Sequence, residues 1–121
     1  MKSHKDLDVW KDGIQLVKAV YVATNGYPKE EMYGLASQMR RAAVSVVSNI
    51  AEGAARQGNK EFVQFLYIAL GSTSELDTQL EVSRQIGYGN SESLLQLQQD
   101  VGRIAKMLQG LIRAVKNSAN H

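Results

Sequence analysis

Between Gly53 and Lys60 the chain reads GAARQGNK, close to the Gly-x-x-x-x-Gly-Lys-Ser/Thr loop whose backbone amides cradle phosphates. The lysine falls one place late and the preceding segment has helical periodicity, so the loop lacks both its cation and its strand. The two histidines, His4 and His121, stand at opposite ends of the sequence, and no Glu-x-x-His pair supplies ligands for a bundle-core metal site. No metal and no cofactor is expected. Ser37, Ser45, Ser48 and Ser72 have no internal histidine to serve as a base. The neighbouring carboxylates Glu30 and Glu31 suit a helix N-terminus better than acid/base work. These residues argue against an enzyme.

A polar ladder remains: Gln38, Arg41, Ser45, Asn49 and Glu52 follow steps of three and four along one helix flank. An enzyme built on Arg41, Asn49, Glu52 and Glu75 would need a pocket opening onto them. If the chain folds back at Gly58, Arg41 and Glu75 are equally far from the turn and stand level, so a structural ion pair between them is expected. Successive helical residues point about 100° apart. Arg40 should then face away, towards solvent or another subunit.

The elements that position these groups follow from periodicity. Leu94, Leu97, Val101, Ile104, Leu108, Leu111 and Val115 recur at three and four and mark one helical seam. Leu7, Trp10, Ile14, Val17 and Tyr21 form a second seam. Met32, Leu35, Met39, Ala42, Val46 and Ile50 form a third, and Phe62, Leu66, Ala69, Leu76 and Leu80 a fourth. Breaks fall at Asn25–Pro28, Gln57–Asn59 and Gly87–Asn90. Asn59 and Ser91 stand as N-caps, Pro28 precedes a helix start, and Gly87 or Gly89 closes the third helix. No segment alternates as a half-buried strand would. The expected fold is all-α, an antiparallel up-down-up-down four-helix bundle forming a single domain over residues 1–121.

A chain of 121 residues with no cysteine suits one core in a reducing compartment. No stretch approaches the roughly 20 apolar residues that cross a bilayer, and the charged opening MKSHKDLDVW is unlike a secretory signal. A cytoplasmic protein without membrane contact is expected.

From Gln38 to Phe62 the chain reads QMRRAAVSVVSNIAEGAARQGNKEF, with NIAEG at Asn49–Gly53 and Gly71-Ser72 followed by Glu75-Leu76. Together with DLDVWKDGIQLV near the start and KMLQGLIRAV near the end, these motifs resemble the 23S rRNA intervening-sequence protein family over nearly the whole chain. The resemblance implies a four-helix bundle assembled as a homopentamer, with no established enzymatic activity. It also implies kinship with accessory proteins of diversity-generating retroelements, which bind nucleic acid and a reverse transcriptase.

In such a bundle Lys2, Lys5, Arg56, Lys60, Arg113 and Lys116 gather at one end against Asp6, Asp8, Glu52 and Glu61, and the opposite end is net acidic. These six cations are the candidate nucleic-acid contacts, with RNA or DNA as partner. No aromatic residue interleaves with them in sequence, so recognition of the phosphate backbone with little base preference is expected. Val9, Leu16 and Val20 on the first helix, and Arg40, Val44 and Val47 on the second, lie outside the main seams and are the candidate oligomer interface. The functional expectation is a non-enzymatic oligomeric binding module; the alternative is a structural protein-interaction scaffold with no nucleic-acid role.

Overall fold

A computed structural model describes residues 3–119. Four helices follow one another: α1 at Asp8–Thr24, α2 at Leu35–Ala54, α3 at Asn59–Ile86 and α4 at Ser91–Ala119. Short 3-10 turns at His4–Asp6 and Lys29–Glu31 precede α1 and α2. The helix expected to start beside Pro28 is only that second turn, and α2 begins after Gly34. Asn59 is the first residue of α3 rather than its cap. Before α4 the side chain of Asn90, not Ser91, accepts the Ser93 amide at 2.9 Å. Gly87 closes α3 in the left-handed region, φ 83°, where a side chain would be strained.

Interhelical contacts run antiparallel. Along α2 and α3, Met39 meets Ser83, Ser45 meets Ser72, and Gly53 meets Phe62 and Phe65. Between α3 and α4, Asp77 pairs with Gln98 and Tyr67 with Lys116. Between α1 and α2, Gly13 lies against Val47 and Thr24 against Arg40. The chain therefore forms the all-α bundle its periodicity predicts. Met39, Ile50, Leu66, Leu76, Leu80, Leu94, Ile104 and Leu108 fill its centre.

Two seams differ in phase from expectation. On α4 Ile112, not Leu111, is the buried residue of its turn. On α1 the buried stripe is Val9, Gly13, Leu16, Val20 and Thr24, while Leu7, Trp10 and Val17 pack at its margin and Tyr21 is half exposed. Both stripes of α1 are apolar, so hydrophobicity alone did not choose between them. Small residues did, because Gly13 admits Val47 against the α1 backbone. Val9, Leu16, Val20 and Val47, expected to be surplus apolar surface for subunit contacts, are therefore core residues no more than 7% exposed. Of that candidate set Val44, at 38%, is the exposed valine.

Candidate nucleic-acid interface

The starts of α1 and α3 and the ends of α2 and α4 share one end of the bundle, and the basic residues lie there. Lys5 is exposed in the first 3-10 turn, where Ser3 Oγ accepts its amide at 3.1 Å. Lys2 and His121 lie outside the described residues. Lys60 is exposed in the first turn of α3, where the helix dipole favours acids over cations, so the dipole does not account for its charge. Lys116 occupies the last turn of α4, where the dipole welcomes it, and Arg113 lies about one turn earlier.

Arg56 is the most encumbered member. Its Nη2 lies 3.4 Å from Glu52 and its Nε 4.0 Å from Glu61, and the guanidinium stands 5.0 Å from the Phe65 ring centre. These pairs are exposed and worth about 1 kcal/mol or less, so an incoming phosphate can displace them.

Near this end a groove of about 440 Å³ between α3 and α4 is lined by Tyr67, Leu70, Gln109, Ile112, Arg113 and Lys116. Lys116 Nζ donates to the Tyr67 hydroxyl at 2.8 Å. Sequence reading missed this aromatic neighbour because 49 residues separate the two; only the hairpin register of α3 and α4 brings them together. A larger recess of about 730 Å³ between α1 and α4 includes Lys18, Val22, Gly89 and Asp100, and none of the basic-end residues lines it. Neither groove is lined by Arg41, Asn49, Glu52 or Glu75.

The adjacent arginines reverse their expected roles. Arg40 is half-buried: its Nε donates to Thr24 Oγ1 at 2.9 Å, and its guanidinium stands 4.6 Å from the Tyr21 ring centre. It ties α2 to α1. Arg41 is exposed, and the ion pairs of the described residues do not include Arg41 with Glu75. Glu75 is also exposed and accepts from Gln79 at 3.2 Å. The level was right, since Ser45 and Ser72 meet there with their hydroxyls 2.8 Å apart. Azimuth separates the pair: one turn on, each helix has rotated roughly 40° to 60° off its contact line. The inner part of the polar ladder is structural, with Asn49 Nδ2 donating to the Ser45 carbonyl at 2.8 Å.

At the opposite end Tyr27 is buried against Tyr88. Burial raises its pKa, and the neighbouring Ser83 hydroxyl offsets part of that effect. Glu81, partly exposed, is held below the usual carboxylate range by hydrogen bonds from Gln85 and Gln98, with Arg84 adding to the effect. Among the described residues no group of three or more His, Cys, Asp or Glu side chains could hold a metal ion. No helix among them is long and apolar enough to cross a membrane.

A family model described as 23S rRNA-intervening sequence protein matches residues 5–110. Among solved structures, a protein with unknown function from the S23 ribosomal protein family of Bacteroides thetaiotaomicron superimposes with a TM-score of 0.78. It is 24% identical over 87% of this chain and 95% of its own, a likeness that speaks for the fold. No curated protein matches.

Proposed function

Because the chain belongs to the 23S rRNA-intervening sequence protein family, we propose that it is a non-enzymatic, oligomeric binding module of the cytoplasm that holds structured nucleic acid at the basic end of its bundle. The observation that carries this reading is the clustering there of Lys5, Lys60, Arg113 and Lys116, all exposed. Lys60 carries particular weight, since its charge opposes the α3 dipole. A homopentamer, suggested by the sequence resemblance, would repeat this end five times around a ring and turn a few phosphate contacts per subunit into many. A reverse transcriptase is a further partner on the same family analogy.

The alternative, a protein-interaction scaffold without nucleic acid, is favoured by a different observation. Ile68, Val82 and Ile86 lie 52%, 43% and 53% exposed along one face of α3. In the leading reading this face, together with Val44, meets the neighbouring subunit. Light scattering should give a closed oligomer. Anisotropy with a labelled hairpin RNA should show binding that Arg56, Lys60, Arg113 and Lys116, all changed to glutamine, weaken without altering the mass. An oligomer that binds no nucleic acid at low salt would hand the protein to the scaffold reading; a monomer would remove the ring.

A further inference from the structure

We propose that the groove between α3 and α4 is a subsite for single-stranded nucleic acid, in which one unpaired base stacks on Tyr67 while the adjoining phosphates lie against Arg113 and Lys116. This inference rests on the reading of the protein as a nucleic-acid binder and specifies the form of the nucleic acid. Tyr67 is 48% exposed, so part of its ring is accessible to a ligand. Lys116 Nζ lies 2.8 Å from the Tyr67 oxygen and 5.1 Å from the ring centre. The ammonium therefore contacts the hydroxyl end of the ring and does not lie over its centre.

The rest of the groove suits the same ligand. Leu70 and buried Ile112 give an apolar floor, Gln109 brings an amide able to donate and accept, and no carboxylate lines the recess to repel a phosphate. Arg113 has no ion-pair partner among the described residues, so its guanidinium is available to a phosphate oxygen. At about 440 Å³ the groove falls in the ~300–1,000 Å³ range of clefts that take small ligands. Stacking needs a base whose face is free, which a duplex does not present. It is also tolerant of sequence, because every base has a π-face. The subsite thus discriminates between unpaired and paired strands without reading bases.

The test measures, at low salt, the affinity of labelled oligouridylate and of a duplex RNA with the same number of phosphates. The proteins are the wild type, Tyr67→Phe, Tyr67→Leu and the double variant Arg113→Gln, Lys116→Gln. Tyr67→Leu should weaken oligouridylate about five-fold to a hundred-fold, the span of one base stack removed, and leave the duplex unchanged. Tyr67→Phe keeps the ring and should keep wild-type affinity. The double variant should weaken both probes and flatten the single-strand salt slope by about 0.7 for each phosphate that is no longer neutralised. Equal weakening by Phe and Leu, oligouridylate binding indifferent to Leu, or parallel weakening of both probes by Leu would overturn the subsite and leave the broader reading standing. A wild-type protein that binds neither probe overturns both.

Discussion

Substituting Gly53 by alanine tests how closely α2 and α3 are packed where the chain reverses. A β-carbon added there would lie 2.7 Å from Phe65 Cβ, 3.0 Å from Phe62 Cδ1 and 3.2 Å from the Phe62 carbonyl oxygen. Phe65 Cβ and the Phe62 oxygen belong to the α3 backbone or are fixed to it, so no side-chain rotation relieves the clash and the helices themselves must move apart. Overpacking of this kind costs about 1–3 kcal/mol, against which alanine returns up to about 1 kcal/mol of helix propensity. The net expectation is a destabilisation of about 1–2 kcal/mol, or a Tm lowered by about 3–8 °C in a domain of this size. Gly71, midway along α3, is the control, since a β-carbon there meets nothing within 4 Å. Gly71→Ala should stabilise by up to about 1 kcal/mol. Thermal melts followed by circular dichroism at one protein concentration read both variants. If Gly53→Ala is as stable as Gly71→Ala, the close approach of α2 and α3 is wrong.

Arg40→Ala removes a half-buried tie between helices and should cost about 1–2 kcal/mol in chemical denaturation. Arg41→Ala and Glu75→Ala, at exposed positions, should each stay within about 0.5 kcal/mol. Equal destabilisation at Arg40 and Arg41 would contradict the assignment of the internal tie to Arg40. Tyr27 is neutral when buried and its pKa is raised in the fold, so its contribution is fully present below the ordinary tyrosine pKa of about 10 and is lost as pH rises through the folded value. The alkaline limb of a stability-against-pH curve should therefore be shallower for Tyr27→Phe than for the wild type.

Legibility in the sequence depended on what each feature needs. The α4 seam needs only spacing, and six of its seven expected members are buried, with Ile112 in place of Leu111. The α1 seam depends on which stripe accepts close approach, and hydrophobicity passes over the residues that decide it, Gly13 and Thr24. Two buried polar residues of α3 were hidden for a related reason: Thr73 and Ser83, like Ser72, satisfy their hydroxyls on carbonyls of the preceding turn, at 2.6 and 2.9 Å, and so can sit inside. Arg41 and Glu75 could be placed at one level by counting from Gly58, but counting does not give azimuth. Five of the six basic-end residues could be assigned to their helix ends from topology alone. The meeting of Tyr67 with Lys116 could not, because it depends on side chains from helices far apart in sequence.

The salt dependence of nucleic-acid binding tests the central claim most directly. Hairpin-RNA affinity measured across a series of salt concentrations gives a log-log slope of about −0.9 for each phosphate neutralised on a B-DNA-like duplex and about −0.7 on a single strand. The basic end of one bundle, with its six cations Lys2, Lys5, Arg56, Lys60, Arg113 and Lys116, would give a slope no steeper than about −5.4. A ring engaging the ligand through several such ends predicts a steeper slope, flattened in the glutamine variant. Absence of binding at low salt, or affinity indifferent to salt, would contradict the account.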